Sequence, residues 1–337
     1  MDAVRQLDER PWREFVDNHP QGTIFHTPEM FEVFAGATGH RPTLWAAVDN
    51  HGRVLALLLP VQITLLNGWF QHFTARAVVY GSVLCVPGAE GHQALARLLR
   101  TYRQEVDEAL LFTQLRNLSN LEKVQPILRE QDFVYEDHLN YLIDLKRPPE
   151  AIFQDIGRRT RKHIRRGLGR EEVVVAEVRE RERVATCYDL LRRTYLAARV
   201  PLADRSLFEA AFDLLYPKNM IRFTLASIGR TPIAVSVELL YKDVMYGWYG
   251  GTDRAYRSYM PSELLTWHIL QWGSDNGYAV YDFGGAGKPG DHYGVRSFKA
   301  KFGGELVCFG RNTYVHNPRW LRLSRLGYRI YRLLYHK

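Results

Sequence analysis

The feature that most restricts the fold of this chain is a hairpin written twice. AAVDNHGRVLALLLPV and LASIGRTPIAVSVELL each read as an apolar strand, a turn ending in Gly-Arg, and a second apolar strand. Gly52-Arg53 of the first matches Gly229-Arg230 of the second, 177 residues later (229 minus 52). Solenoid repeats recur every ~20–50 residues, so a spacing this long points to duplication of a whole domain. Similar hairpins also arise independently, so the pattern around them matters. With 337 residues the chain is long enough for two cores of ordinary size.

The surrounding pattern repeats as well. Residues 44–49 and 54–64 read as the first pair of strands. A helix follows, with Ala94, Leu95, Leu98, Leu99, Tyr102 and Val106 at helical spacing, and then strands at 110–115 and 133–145. Lys146-Arg147-Pro148-Pro149 marks a boundary, because paired prolines end a ladder and the second suits a helix's first turn. Beyond it come a helix from Glu150, a strand at 172–178, helices near 183–198 and 205–215, and strands from Ile221. The expected class is α/β of the α+β kind: two similar domains in tandem, each a mixed, antiparallel-rich sheet flanked by helices. The expected division is 1–145, completed by the C-terminal segment 312–337, and 146–311.

Composition removes several function classes. The start, MDAVRQLDERPWREF, lacks the basic and then apolar run of a secretory leader, and residues 54–66 are too short and too polar to span a bilayer. A cytoplasmic protein is expected. Cys85, Cys187 and Cys308 form no C-x-x-C pair and read as small buried apolar residues. The twelve histidines show no H-E-x-x-H or other close ligand set, and no G-x-S-x-G elbow occurs, so neither a metal site nor a serine nucleophile is expected. The net charge is +8, and residues 311–337 carry seven basic residues and no acid. In PRWLRLSRLGYRIYRLLYHK, Arg322, Arg325, Arg329 and Arg332 repeat beside Leu323, Leu326, Ile330 and Leu333. Such a helix either closes the first domain's core or lies on an anionic membrane surface.

Three segments can carry chemistry. The first, YDFGGAGKPGDHYGVRSFKAKFGGE (281–305), contains G-x-G-x-x-G at Gly285, Gly287 and Gly290. Pro289 and the following glycines deny that motif the helix it must open, and Lys288 precedes Pro289 where a P-loop needs Ser or Thr. In the second, RRTRKHIRRGLGR (158–170), Arg158, Arg161 and Arg165 fall on one basic helical face with no acid between Gly157 and Arg170. That face is an anion-binding candidate, and Gly167 and Gly169 are expected to interrupt the helix. The third runs strand, loop, helix starting near Pro261, and strand, from Val244 to Gly285. Tyr246, Trp248 and Tyr249 form either a substrate wall or core. The order is that of GNAT-type acetyl-coenzyme A transferases, but the loop DRAYRSYMPS lacks their glycines.

Taken together, WYGG, P-x-E-L-L-x-W, YDFGG and G-x-x-x-F-K-x-x-F-G-G-E, preceded by T-R-K-H-I-R-R at 160–166, closely resemble the C-terminal half of the FemABX family. The likeness is good over residues 140–317 and faint before them. It implies two GNAT-like domains and a non-ribosomal aminoacyl- or peptidyltransferase. Such an enzyme forms an amide on a peptidoglycan precursor or related cell-envelope acceptor, from aminoacyl-tRNA and without a cofactor. The alternative on the same fold is an N-acyltransferase acting on surface polysaccharide or lipid with another activated acyl donor. The resemblance implies a nucleotide- or lipid-linked precursor as partner, the basic C-terminal stripe adds peripheral contact with the anionic inner face of the membrane, and a monomer is expected. It assigns Lys299 to charge stabilisation; the proton that the acceptor amine must lose makes Glu238, Asp253 and Asp282 candidate bases, none of them distinguished by sequence. Arg158, Arg161, Arg165, Trp248, Tyr249, Gly284, Gly285 and Tyr293 are assigned to substrate binding.

Overall fold

The computed structural model describes residues 2–64, 74–106, 110–291 and 294–324. These fall into two compact units, one drawn from Met1–Asp137 together with Phe309–Lys337, the other His138–Cys308.

The first unit contains β1 (Asp2–Val4), α1 (Glu9–Asn18), α2 (Pro28–Ala35), β2 (His40–Pro42), β3 (Trp45–Val48), β4 (Val54–Leu58), β5 (Val61–Ile63), β6 (Arg76–Tyr80), β7 (Leu84–Cys85), α3 (Ala89–Glu105), β8 (Phe112–Arg116), α4 (Gln125–Glu130) and β9 (Val134–Glu136). The second contains β10 (Leu139–Asp144), α5 (Pro149–Asp155), α6 (Arg158–Arg170), β11 (Val173–Glu177), α7 (Val184–Ala198), α8 (Arg205–Leu215), β12 (Ile221–Ile228), β13 (Thr231–Tyr241), β14 (Val244–Thr252), α9 (Pro261–Asp275), β15 (Val280–Gly285), α10 (Gly294–Lys299) and β16 (Glu305–Cys308). The chain then returns to the first unit with β17 (Arg311–Val315).

In the first unit the sheets run β1-β3-β4-β7 and β2-β5-β6-β8-β17-β9. Residues 54–64, which read as one strand, divide at Pro60 into β4 and β5, which join different sheets. Proline's missing N–H makes it a natural place for a ladder to end. The stripe Ala94, Leu95, Leu98, Leu99 and Tyr102 of α3 is completely buried in one core with Trp45, Leu55 and Leu115. Burial of each large apolar side chain of this kind stabilises by roughly 1.5–3 kcal/mol. The returning segment is tied in by β17, which lies between β8 and β9, and by a chain of hydrogen bonds that starts in the core. Tyr102 Oη meets Thr113 Oγ1 at 2.7 Å, and Thr113 Oγ1 meets His316 Nε2 at 2.7 Å. Burial, and Arg103 nearby, lower His316 to about 4, so the ring is neutral.

The second unit's sheet runs β11-β12-β13-β14-β15-β10-β16. All its pairings are antiparallel except β14 with β15. Residues 133–145 read as a single strand, but the chain breaks it between the units: β9 pairs with β17, whereas β10 lies between β15 and β16. The boundary therefore precedes the proline pair, and residues 309–311 go with the first unit. The two hairpins share an irregularity. Register shifts between Ala47 and Val48 in β3, and between Ala226 and Ser227 in β12.

Helix α6 continues through both of its glycines. At Gly167 a Cβ would lie 2.7 Å from Leu264 Cδ1 of α9, so that side chain would have to shift; at Gly169 a Cβ would meet nothing. Residues 294–302 are α10 and a 3-10 turn. Cys187 is buried, but Cys308 is exposed, against the expectation of three buried thiols. Of the C-terminal stripe, Arg325, Leu326, Arg329, Ile330, Arg332 and Leu333 lie outside the described residues.

Candidate functional site

Strands β14 and β15 run parallel for three register pairs, Val244 with Val280, Met245 with Tyr281 and Tyr246 with Asp282, and then separate. Beyond that point β15 keeps β10 as its neighbour, Asn140 opposite Gly285, while β14 keeps only β13 among the described residues. Parting of two central strands leaves backbone donors and acceptors of residues 247–252 along an edge inside a sheet, where an extended ligand can take the place of a strand. Glycines line the opening. Gly284 has φ +69, and a Cβ there would lie 3.1 Å from Tyr246 Oη; at Gly247 a Cβ would lie 2.8 Å from Tyr281 Oη. Only glycine meets both demands cheaply at 284.

The end of β15 is held from below by two buried ionisable groups. Lys299, at the end of α10, is 7% exposed. Its Nζ donates to the carbonyls of Phe283 (2.5 Å), Gly284 (3.1 Å) and Gly285 (2.8 Å). Burial lowers its pKa to about 8, partly offset by Asp282. Asp282, 4% exposed, accepts from Gly284 N at 2.7 Å and from Asn140 Nδ2 at 3.2 Å. Burial raises it to about 6, against the backbone and Asn140 hydrogen bonds and the Lys299 charge. The ammonium and the carboxylate thus fix the Phe283–Gly285 peptide planes by opposite means, one taking their oxygens and the other an amide. All three of the ammonium's protons have acceptors, so its charge reaches the opening as a field and not through a direct N–H bond.

Glu238 sits elsewhere. It lies on β13 opposite Gly247, is fully buried, and takes a short hydrogen bond from Ser236 Oγ. Its Oε2 is an orphan, as is Thr224 Oγ1 on β12. Burial raises Glu238 to about 8, outweighing Ser236 and Arg222, so it is mostly protonated at neutral pH. An enclosed, protonated carboxyl is poorly placed to take a proton from a substrate. Asp253 is also structural: it caps the 3-10 turn Arg254–Tyr259 through Ala255 N and pairs with Arg193 at 3.0 Å.

Trp248 and Tyr249 are half-buried and belong to an aromatic cluster with Phe208 of α8 and Tyr195 of α7, at centroid distances of 4.7–5.9 Å. Their packing is that of a core edge with one side open, as the core reading expects. The arginine face of α6 is less uniform than its spacing suggests. Arg158 is exposed, Arg161 Nη1 donates to Gln154 O and Oε1 (2.7 and 2.6 Å), and Arg165 lies over the Phe153 ring at 5.2 Å. Tyr293 lies outside the described residues. Asn140 and Ser236 were missed from the sequence; the signal was a polar residue inside an apolar strand in each case. Among the described residues no group of three or more His, Cys, Asp or Glu converges as a metal site.

Parallel neighbours that part beside a glycine-bearing strand end, in a sheet flanked by α7, α8 and α9, define the chain as a GNAT-fold protein, and the comparisons agree. A family model described as an acetyltransferase (GNAT) domain matches residues 156–299. The structure of FemX aligns with a TM-score of 0.71 and 15% identity, covering 97% of this chain and 99% of that one. L-PGS from Bacillus licheniformis aligns at 0.58 with 13% identity, covering 96% and 98%. A tandem GNAT protein from the clavulanic acid biosynthesis pathway also aligns at 0.58, with 12% identity, covering 94% and 99%. In sequence, the lipid II:glycine glycyltransferase of Staphylococcus saprophyticus is 34% identical over 77 residues, 21% of this chain and 19% of the relative. That of Staphylococcus epidermidis is 31% identical over the same length, 18% of the relative. The aligned stretch thus spans about a fifth of these curated relatives. The fold is the tandem GNAT fold, and within it the chain is similar in structure to FemX and, over about a fifth of its length, in sequence to the lipid II:glycine glycyltransferases.

Proposed function

We propose that the protein is an aminoacyl- or peptidyltransferase that joins an amino acid to an amine of a peptidoglycan precursor or related cell-envelope acceptor, with aminoacyl-tRNA as donor. The single observation that carries this reading is the opening between β14 and β15, floored by Lys299 and Asp282. The reaction needs little more from the protein than position and field. The acceptor amine attacks the ester carbonyl, the carbonyl oxygen becomes an oxyanion, the C–O bond to the donor breaks, and the amine's proton leaves with or to the departing hydroxyl. A buried ammonium held beside the opening stabilises that oxyanion in a medium of low dielectric. Lys299 does so through its field while fixing the backbone of the strand end, and Asp282 orients the same peptide planes. The half-exposed sides of Trp248 and Tyr249 would give the acyl group an apolar wall. Arg158 and the neighbouring α6 cations would meet the acceptor's phosphates or carboxylates.

The glycyltransferases among the relatives, named for a lipid II substrate, support a lipid-linked acceptor, and the basic C-terminal sequence supports peripheral contact with an anionic leaflet. No helix among the described residues is long and apolar enough to cross a membrane. The test is an amide-forming assay with purified protein, offering charged tRNA or acyl-coenzyme A as donor and lipid-linked or nucleotide-linked muropeptide as acceptor. A new amide formed only with charged tRNA supports the reading. Transfer from acyl-coenzyme A alone would replace it with N-acyl transfer.

A further inference from the structure

Lys299 supplies the opening with a charge but not with an N–H donor, because carbonyls of β15 take all three of its protons. A second cation of α10 bears on where such a donor lies. Arg296, half-buried and one turn before Lys299, donates through Nε to Ala286 O at 2.8 Å and through Nη2 to Lys288 O. It holds no carboxylate among the described residues. Between them Lys299 and Arg296 collect the carbonyls of Phe283, Gly284, Gly285, Ala286 and Lys288 on the side of α10. A regular strand would send alternate residues' carbonyls to opposite neighbours; left-handed Gly284 (φ +69) and Gly287 (φ +78) allow them to gather instead. A trans peptide sets its N–H opposite its C=O, so the amides that follow these carbonyls face away from α10, on the side of the opening that Lys299 floors. Most of them are already engaged. Gly284 N is taken by Asp282, Gly285 pairs with Asn140 of β10, Ala286 N reaches Leu139 O at 2.6 Å, and Pro289 has no N–H. Gly287 N–H is left without an acceptor among the described residues, although its own carbonyl is fixed by Leu139 N at 2.9 Å.

We propose that Gly287 N–H donates to the reacting carbonyl oxygen, and that Arg296 is the positioning residue that presents it. The proposal rests on the transferase reading and adds the hydrogen-bond donor which that reading lacks. As the amine's lone pair forms the new C–N bond, the carbonyl π pair moves onto oxygen, where the amide meets it. The pair returns as the C–O bond to the donor breaks, and the departing hydroxyl takes the amine's proton. A fixed amide gains most from this oxygen when its charge is fully developed. Arg296 matters because residues 284–290 include Gly284, Gly285, Gly287 and Gly290, which do little to fix their own backbone, and its planar fork spans two carbonyls at once. The test uses the full chain, labelled with 15N-glycine, as parent, Arg296→Gln and Arg296→Lys, with circular dichroism to verify folding. The probe is a short RNA ending in an aminoalkylphosphonate ester, whose anionic oxygens copy the tetrahedral intermediate. In the parent, bound probe should move the Gly287 amide proton downfield and slow its exchange; in Arg296→Gln that response should be lost. In the amide-forming assay Arg296→Gln should lower kcat by about tenfold or more with KM within about threefold of the parent, and Arg296→Lys should restore part of the loss. A Gly287 amide unmoved by a probe that inhibits transfer would overturn the donor, and a parental kcat in Arg296→Gln would overturn the positioning role. The two failures look different: an active transferase whose Gly287 ignores the bound probe loses only this donor, whereas a parent that makes no amide from any donor loses the transferase reading and the donor with it.

Discussion

At Lys299 the sequence identified the residue but not its work. Its place between FGG turns marked it as important, but only the helical turn of α10 brings Nζ onto three carbonyls of β15. Long-range contacts of this kind, from residue 299 back to 283, leave no local trace. Lys299→Ala should lower the single-turnover rate at least about tenfold, the loss of ~1.4 kcal/mol of transition-state stabilisation, and a thermal melt should also show a loss of stability. An unchanged rate with a lowered melting temperature would make the lysine purely structural. Because burial lowers its pKa to about 8, the charge fades as pH rises through that value, and the rate should fall with it. A rate flat from pH 7 to 10 would contradict this. Glu238 has the opposite displacement, raised to about 8 from an ordinary 4.5. The native state then holds a proton that the unfolded chain has released, so its contribution to stability is present below pH 4.5 and is lost as pH rises to about 8. Glu238→Gln should reduce that slope in urea titrations across pH 5–8; an identical slope in the variant would mean that the buried carboxyl does not titrate there.

At the scale of elements, the strands and helices with clean periodicity were legible. The α3 stripe, the two hairpins and α9 starting at Pro261 all lie where the pattern puts them. What failed were breaks set by tertiary neighbours: β4 from β5 at Pro60, β9 from β10, and the supposed interruption of α6. The two glycines of α6 give a sharp test, since they look alike in sequence and differ in surroundings. Gly169→Ala meets open space and should stabilise by up to about 1 kcal/mol, as expected of a helix-interior glycine. Gly167→Ala would press into Leu264 and should destabilise by roughly 1–3 kcal/mol, offsetting its better helix propensity. Equal effects in chemical denaturation would show that α6 and α9 do not pack as closely as described.

For the whole molecule, the duplicated hairpin made two domains legible, but not which segments each would own. The proline pair looked like the boundary because it ends a strand; pairing of β10 with β15 and β16 moves that strand into the second unit instead. The second unit is continuous, whereas the first needs β17 between β8 and β9. A fragment covering 138–308 should therefore fold cooperatively, and one covering 1–137 should not without the residues from 309 on; circular dichroism melts of both would check it. The central claim, that acyl transfer occurs where β14 and β15 part, is tested most directly by hydrogen exchange over the full chain with and without a non-hydrolysable aminoacyl-RNA analogue. Added protection should concentrate in residues 247–252 and 283–287. Protection confined to other segments, under conditions where the analogue blocks transfer, would contradict the assignment of the site.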